Sequence, residues 1–268
     1  MAPSPIILLP PSEGKRHGGN GPPLDMDSLS FPSLKRTRER FANALIRISE
    51  QPIVSRTLLG VKGSALEKAR LENAQLKNAP TLKAIERYTG VMYDAIEHET
   101  LDVNAREMFG QSVIIMSGLF GMIRPFDMIP AYKLKMGGKL IRGTSCSAMW
   151  KKLLTRSLAE SYDSAVIWDL LPNEHSAAWN PSAVDYKKRF TVKFVQRSDK
   201  GQFKVVSHWS KLLKGALIRH LVSNGEAAGS TKYAIELVAG FSHPEGYEFS
   251  AEMTSSTDNV TSVIFVKA

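Results

Sequence analysis

Three short, almost uninterrupted apolar runs constrain the fold of this chain most strongly. They lie at residues 6–9, 113–116 and 165–170, far apart along a sequence of 268 residues. Runs of this length, bounded by Pro, Gly or polar residues, are typical of buried strands. Helical patterns lie between and after them. We therefore predict a mixed α/β fold: a single compact domain over residues 1–268 with a central mixed sheet and surrounding helices.

Helical spacing of apolar residues marks the segments between these runs. Leu34, Phe41 and Leu45 predict a helix that begins after a cap at Ser33. Further helices are predicted over residues 64–75, 81–98, 146–160 and 209–223, with caps at Ser64 and Thr81 and a break at Gly90. A hairpin is predicted from residues 190–196 and 203–208 around turn residues 198–201, and closing strands from residues 247–249 and 263–266.

The overall composition excludes several classes of protein. Hydrophobic residues make up 43% of the chain, which is enough to offset the entropy lost on folding and excludes a wholly disordered chain. The single cysteine, Cys146, cannot form an intramolecular disulfide. The first residues lack the basic region of a signal peptide, and the most apolar stretch, residues 113–123, is far shorter than the ~20 residues that span a bilayer. We expect a soluble cytoplasmic protein with no membrane partner.

Positive charge is concentrated in two windows. The chain has 35 Lys and Arg residues against 26 Asp and Glu residues, a net charge of +9. Residues 128–159 contain seven basic side chains and no acidic one, and residues 187–214 contain nine basic side chains against Asp199 alone. Such a one-sided distribution favours a polyanion such as nucleic acid, although a solvated surface is the alternative for any single lysine.

Longer strings of sequence resemble one protein family. The segment MSGLFGMIRPFDMIPAYKLKMG at residues 116–137 is similar to the signature of the YaaA family of peroxide stress proteins, also called DUF328 or UPF0246. Similar matches are LLPPSEGK at residues 8–15, YTGVMY at 88–93, SHWSKLLKGALIR at 207–219 and GYEF at 246–249. The loop PNEH at residues 172–175 departs from the family pattern, so no role is transferred to it.

The resemblance implies a mixed α/β fold with a positively charged cleft and a helix-hairpin-helix-like element. It implies binding of double-stranded DNA, and a part in the peroxide response in which members limit DNA and protein oxidation by lowering unincorporated iron. The expected partner is therefore DNA, recognised by its backbone and shape, or a nucleotide-like anion. No cofactor is expected, and a monomer is favoured.

Two glycines three residues apart suggest one contact with a phosphate backbone. Gly118 and Gly121 allow a tight turn after a buried strand, where exposed N–H groups and the neighbouring Ser117 would bind phosphate; a purely structural turn is the alternative. Trp209 is either a stacking platform or a core residue. The cations predicted to contact phosphate are Lys15, Arg124, Lys133, Lys135, Lys211, Lys214 and Arg219.

Two of these assignments have specific alternatives. Arg124 could instead form an ion pair with Asp127, three residues further on. The three cations of residues 211–219 could instead form a solvated helix face.

Catalysis is the second hypothesis. Glu13 beside Lys15 could form an acid–base pair with Tyr88, Tyr93 or Tyr132, brought near by folding. Such a set would act on a nucleotide, a nucleobase or damaged nucleic acid in the same cleft.

Cysteine and histidine chemistry gives weaker signals. Cys146, at the start of a predicted helix, could have a lowered pKa and react with peroxide; a packed thiol is the alternative. None of the six histidines has the spacing of a metal motif, so no metal site is expected.

Overall fold

The three apolar runs form the centre of the main sheet. In the computed structural model, which describes residues 4–198 and 202–267, all three become buried strands. In chain order, the strands of these residues are β1 (Ile6–Leu9), β2 (Gly21–Pro23), β3 (Pro80–Lys83), β4 (Val113–Ser117), β5 (Gly121–Ile123), β6 (Met128–Ile129), β7 (Val166–Asp169), β8 (Lys188–Arg197), β9 (Phe203–Val205), β10 (Glu248–Phe249), β11 (Ser255–Thr257) and β12 (Val260–Lys267).

Helices cover the sheet, and short 3₁₀ turns occur at Pro32–Leu34, His98–Thr100 and Pro181–Ala183. The α-helices are α1 (Lys35–Ser49), α2 (Pro52–Leu59), α3 (Gly63–Ala74), α4 (Ala84–Arg87), α5 (Val91–Ile96), α6 (Val103–Ser112), α7 (Cys146–Ser161), α8 (Asn173–Ser176), α9 (Ser207–Ser223), α10 (Gly225–Ala228) and α11 (Ala234–Ala239). None of these helices is both long and apolar enough to cross a bilayer.

The main sheet is mixed, as predicted. Its strand order is β10-β12-β8-β7-β1-β4-β5, with β11 paired to β12 and β9 paired to β8. The five strands from β12 to β4 run parallel to one another, whereas the outer pairs are antiparallel. A separate small sheet joins β2, β3 and β6. The central strands β7, β1 and β4 are buried along their whole length, which explains their continuous apolar sequences.

The order of the strands reverses beside β1. From β1 the chain crosses to β4 on one side, returns to β7 on the other side of β1, and then continues outward to β8. Such a reversal leaves a crevice at the carboxyl ends of the parallel strands, where open α/β sheets bind their ligands. In this protein the crevice lies beyond Leu9 of β1 and Asp169 of β7.

The helix predicted over residues 81–98 is wrong as a single element. Residues 80–83 form β3, because they pair with β2 and β6, and the Thr81 hydroxyl donates to the carbonyl of Pro22 instead of capping a helix. The predicted break at Gly90 is confirmed: its φ of 109° separates α4 from α5. The pairing partners of β3 are distant in sequence, so the local apolar pattern does not reveal them.

The other predicted elements are confirmed with small shifts, but their caps are not. Ser33 lies in a 3₁₀ turn and contacts the Ser157 hydroxyl, and Ser64 lies inside α3, which begins at Gly63 after Lys62. The hairpin forms between β8 and β9. Its predicted turn extends over residues 199–201, which lie outside the described residues.

Replacing Gly215 with alanine tests how α9 packs on α5. A Cβ atom at Gly215 would overlap the carbonyl oxygen of Met92 and lie 2.8 Å from the Cβ of Ala95. Gly→Ala inside a helix ordinarily stabilises it by about 1 kcal/mol. Because the overlap forces the two helices apart, we expect Gly215→Ala to lower the free energy of unfolding in urea by about 2 kcal/mol.

Gly240→Ala is the matched control. Gly240 ends α11 with right-handed backbone angles, and an added Cβ would lie 3.6 Å or more from its neighbours. A change within about 0.5 kcal/mol is expected there. Unchanged or higher stability of Gly215→Ala would contradict this account of the α5–α9 contact.

Candidate functional site

A small polar pocket occupies the crevice at the carboxyl ends of β1 and β7. Its volume is about 50 Å³. It brings together the loop after β1, the segment after β6 and the short helix after β7. The residues that line it are Pro11, Ser12, Glu13, Lys15, Lys133, Leu134, Lys135, Met136, Glu174 and His175. Folding therefore collects four of the predicted site residues, Glu13, Lys15, Lys133 and Lys135, in one place.

Lys15 is half-buried in this pocket. Its backbone forms a bridge with Tyr88, and its ammonium group donates to the carbonyl of Ser12 at 3.1 Å. The Nζ atom lies 4.3 Å from the ring centroid of Tyr132 and 5.3 Å from that of Tyr88. These contacts fix the amine between two aromatic rings and the mouth of the pocket.

The surroundings of Lys15 disfavour its charged form. Its pKa is lowered from 10.5 to about 7, mainly by burial and also by the charges of Lys133 and Arg87, against the opposing effect of Glu72 and Glu13. At neutral pH a large share of the amine is therefore unprotonated. A neutral lysine amine is a nucleophile and a base, whereas an ordinary surface lysine is neither.

Three buried hydroxyl groups form a chain beside Lys15. The hydroxyl of Tyr132 lies 2.8 Å from that of Tyr88 and 2.7 Å from that of Ser117. Burial raises the pKa of Tyr132 to about 12 and that of Tyr88 well above its ordinary value. Both phenols are therefore protonated at neutral pH, and the chain can relay a proton from one oxygen to the next. Tyr93 lies nearby but donates to the carbonyl of Pro10.

Glu13 joins two lysines at the mouth of the pocket. Its carboxylate oxygens lie 3.2 Å from Nζ of Lys133 and 3.2 Å from Nζ of Lys135. Partial burial by itself would raise the pKa of Glu13, but the hydrogen bonds from both lysines lower it. Glu13 is thus held as an anion, and its side chain is 65% exposed, so a competing anion can reach the same lysines.

Three lysines alternate with buried residues in the segment after β6, and we call them the lysine strip: Lys133, Lys135 and Lys139. Leu134, Met136 and Leu140 point into the core between and beyond them. Lys133 is half-buried, and Lys135 and Lys139 are exposed. This alternation is visible in the sequence and could have been used to select these lysines from the first basic window.

The lysine strip is anchored to α3 by one buried side chain. Asn73 donates to the carbonyl of Lys133 at 3.0 Å and accepts from its backbone N–H at 2.9 Å. Both backbone groups of Lys133 are thereby fixed, which holds its side chain at the pocket.

The family-divergent loop after β7 contributes two residues that sequence reasoning missed. Glu174 accepts a hydrogen bond from the backbone N–H of Gly137, and so ties α8 to the lysine strip. Nδ1 of His175 is buried and has no hydrogen-bond partner among the described residues. Burial lowers the pKa of His175, against an opposing effect of Glu174. No sequence motif signals these roles, because they depend on packing against residues about 40 positions away.

The turn at Gly118 does not present its backbone to solvent, so the expectation of exposed N–H groups there is wrong. Residues 118–120 connect β4 to β5 and are buried. The N–H groups of Leu119 and Phe120 donate to the hydroxyl of Ser117. A Cβ at Gly118 would lie 2.8 Å from the carbonyl oxygen of Lys135, and Gly121 has a φ of 72°. The two glycines thus permit close packing beneath the pocket.

The structure gives the Arg124 guanidinium partners inside the protein. It donates to the carbonyl of Val113 and to the hydroxyl of Tyr162, at 3.1 and 2.6 Å. The predicted alternative, an ion pair with Asp127, is replaced by a hydrogen bond from the Arg124 backbone N–H to that carboxylate. Arg124 therefore holds β4 to the end of α7, and its guanidinium is not directed to a phosphate-binding surface.

The cations of α9 do not form one flank. Lys214 is half-buried and donates to the carbonyl of Leu170 at the end of β7. Arg219 donates to the carbonyls of Ile96 and Glu97 and so caps α5. Lys211 is exposed, and Trp209 is half-buried and packs against the core. The structure therefore does not bring these residues together with the lysine strip.

Cys146 is a packed thiol. It is fully buried at the first position of α7, and burial raises its pKa to about 12 despite hydrogen bonds that lower it. The interpretation as a packed thiol is therefore confirmed, and the pKa is not lowered, because desolvation outweighs the favourable effect of the helix N-terminus. Among the described residues, no group of three or more His, Cys, Asp or Glu side chains could hold a metal ion.

The fold and the pocket define a class: α/β proteins with a lysine-lined polar pocket at the carboxyl ends of parallel strands. The sequence model of the family described as "Peroxide stress protein YaaA" matches residues 6–253. The chain therefore belongs to this family, and the resemblance drawn from its motifs is confirmed.

Curated relatives agree with this assignment. A UPF0246 protein of Streptomyces coelicolor is 34% identical over 248 residues, which cover 92% of each chain. A UPF0246 protein of Corynebacterium efficiens is 37% identical over 240 residues, covering 88% of this chain and 92% of the relative. An uncharacterized protein of Campylobacter jejuni is 30% identical over 221 residues, covering 79% and 82%.

The lowered pKa of Lys15 predicts a pH-dependent stability difference. Between pH 7 and 10.5 the unfolded chain binds a proton at this lysine that the native state does not bind. Lys15 therefore lowers the free energy of unfolding fully below pH 7, progressively less as the pH rises to 10.5, and not at all above it. We expect Lys15→Met to raise the free energy of unfolding at pH 6 by on the order of 2–4 kcal/mol. The gain should shrink as the pH rises from 7 to 10.

Urea unfolding at pH 6, 8 and 10 measures this difference. Exposed Lys211 supplies the control, since Lys211→Met should change stability little at any of these pH values. A gain for Lys15→Met that is the same at pH 6 and pH 10 would show that Lys15 titrates normally.

Burial of Cys146 predicts an unreactive thiol in the folded protein. With a pKa of about 12, roughly one thiol in 10⁵ is ionised at pH 7. Native protein should therefore resist iodoacetamide and millimolar peroxide, and the same protein unfolded in guanidinium should be labelled fully. Mass spectrometry of the intact chain measures both; rapid labelling of the native state would restore a sensing role for Cys146.

Proposed function

We propose that this protein binds double-stranded DNA through the lysine strip and so helps to limit iron-driven oxidative damage. The observation that carries the proposal is the strip itself, Lys133, Lys135 and Lys139. It places three exposed or half-buried cations between buried residues, within a window of sequence that contains no acidic residue. Contacts of lysine with phosphate give strong, sequence-independent binding.

A hairpin of two helices beside the strip supports the proposal. The loop between α2 and α3 has left-handed backbone at Gly60 (φ 66°) and a glycine at Gly63 (φ 57°) that begins α3, with open space around both. Lys62 precedes α3, and no side chain caps the first N–H groups of this helix. A helix N-terminus of this kind, beside a lysine, suits a phosphate group. We therefore assign the helix-hairpin-helix-like element to α2 and α3 rather than to the turn at Gly118.

The hairpin and the strip belong to one surface. Leu58, at the end of α2, packs against Gly138 between Lys135 and Lys139; a Cβ at Gly138 would lie 3.3 Å from it. Asn73, at the other end of α3, holds the backbone of Lys133. DNA bound at the hairpin would thus pass the mouth of the pocket.

The second candidate function is an enzyme with the pocket as its active site. The neutral amine of Lys15 beside the hydroxyl chain of Tyr88, Tyr132 and Ser117 favours it. Its substrate would be damaged nucleic acid or a nucleotide held by the same lysines. This candidate adds to DNA binding and does not compete with it.

Salt titration tests DNA binding. With about five to eight phosphate contacts, the logarithm of the binding constant should fall with the logarithm of salt concentration with a slope near −5 to −7. The double variant Lys133→Ala/Lys135→Ala should reduce the magnitude of the slope by about 2, and Lys62→Ala by about 1. Fluorescence anisotropy of a labelled duplex measures each slope.

A charge-matched variant controls for nonspecific electrostatics. Lys232 lies over the ring of Tyr233 in the loop before α11 and belongs neither to the strip nor to the hairpin, so Lys232→Ala should leave the slope unchanged. DNA binding through this surface is disproved if the wild type does not bind duplex at low salt, or if its affinity does not depend on salt.

A further inference from the structure

The amine of Lys15 lacks the partner that a structural lysine would have. Within the described residues its one hydrogen bond goes to a neutral carbonyl, that of Ser12. The carboxylate of Glu13 in the same pocket is bound by Lys133 and Lys135 instead. Buried lysines that serve structure are ordinarily paired with a carboxylate, because an unpaired buried charge is costly. The unpaired amine therefore points to a chemical role.

The size of the pocket limits what can reach this amine. A volume of about 50 Å³ holds one or two waters or a small functional group, and it is too small for a nucleobase. The amine can therefore meet a carbonyl group that enters from the mouth. The group that carries this carbonyl would remain outside.

The mouth of the pocket selects a substrate with phosphate beside the carbonyl. Lys133 and Lys135 share one exposed carboxylate, Glu13, which a phosphate can replace. Lysine amines react with aldehydes to form imines, and this reaction requires the unprotonated amine. The ring of Tyr132 lies 4.3 Å from Nζ and holds the amine beside the chain of protonated hydroxyl groups of Tyr88, Tyr132 and Ser117.

We infer that Lys15 is an amine nucleophile that forms an imine with a sugar aldehyde flanked by phosphate, as at an abasic site in DNA. The DNA form of this substrate rests on the proposed DNA binding. Abasic sites are lesions that oxidation of DNA produces, and they expose the aldehyde without a base. The surface proposed to bind intact duplex would therefore also bring an abasic site to Lys15.

The reaction balances without any further reagent. The Nζ lone pair of Lys15 attacks C1′ of the open sugar, and the resulting carbinolamine loses water to give a protonated imine. A proton then passes from C2′ to solvent water, and the C3′–O bond breaks, with its electron pair going to the 3′-phosphate, which leaves as the phosphate ester. Water hydrolyses the imine, which releases the unsaturated aldehyde and restores the amine. No oxidant or reductant takes part.

Borohydride trapping tests this inference. The wild type is mixed with a duplex that carries one abasic site, with the intact duplex, and separately with 2-deoxyribose 5-phosphate, and each imine is reduced to a stable secondary amine. We expect an adduct that peptide mapping places on Lys15. In Lys15→Arg, which keeps a cation but loses the nucleophile, the adduct should fall at least about tenfold. Anisotropy of the wild type with intact duplex measures DNA binding separately.

The pH dependence of trapping separates Lys15 from surface lysines. Four charged groups face the amine: Lys133, Arg87, Glu72 and Glu13. Because burial and these charges together lower the pKa of Lys15 to about 7, the yield of trapped adduct should rise with pH and reach half its maximum near pH 7. A surface lysine would still be gaining reactivity near pH 10. Lys232→Arg serves as the control and should trap as the wild type does.

The outcomes distinguish the role of Lys15 as an imine-forming nucleophile from the proposed binding of DNA. An adduct on Lys15 with the abasic duplex supports the inference, and an adduct with the free sugar phosphate alone keeps the nucleophile but moves its substrate from DNA to small molecules. Intact duplex bound without any adduct on Lys15, or adducts only on other lysines, overturns the inference and leaves DNA binding standing. Loss of duplex binding while the sugar phosphate is still trapped on Lys15 overturns DNA binding instead.

Discussion

Burial of the Arg87 guanidinium is the interaction on which the site depends. The side chain is fully buried and donates to three backbone carbonyls, those of Arg16, Pro80 and Ile129. Burial lowers its pKa, and a buried charge is tolerated only when its donors are satisfied. The loop after β1, the strand β3 and the strand β6 must therefore assemble together around it. This places Lys15 beside Tyr88 and fixes the start of the segment that carries the lysine strip.

A second buried arginine supports the other side of the pocket. Arg38 of α1 donates to the carbonyls of Phe120 and Met122, which belong to the hairpin formed by β4 and β5. The turn of that hairpin orients the hydroxyl of Ser117 toward Tyr132. Contacts between buried arginines and backbone carbonyls thus hold the elements around the pocket in place. Burial among these elements disfavours the charged form of the Lys15 amine. A lysine held in surroundings that disfavour its charge lowers the stability of the native state, and such positions are enriched at functional sites.

Arginine and lysine have different structural roles in this protein, and this explains why counting charges overestimates the number of cations available to the proposed binding surface. Arg124, Arg189 and Arg219 bind carbonyls, a hydroxyl or a carboxylate inside the structure, because the planar guanidinium offers several donors at fixed angles. The exposed cations of the lysine strip lie on a segment whose alternate residues are buried. Of the two basic windows, the first supplies the pocket, whereas Lys214 and Arg189 of the second hold the end of β7 and Asp169.

The sequence by itself determined the buried strands β1, β4 and β7, the helices α1, α3, α7 and α9, the family, and the pairing of Glu13 and Lys15 with Tyr88 and Tyr132 as a candidate set. These features follow from local apolar periodicity and from long motifs, which a single chain displays directly. Only the tertiary structure decided that residues 80–83 form a strand, that the turn at Gly118 is buried, and that Glu174 and His175 reach the pocket. The physical reason is that strand pairing, desolvation and the pKa of Lys15 depend on neighbours distant along the chain, whose approach no local pattern records.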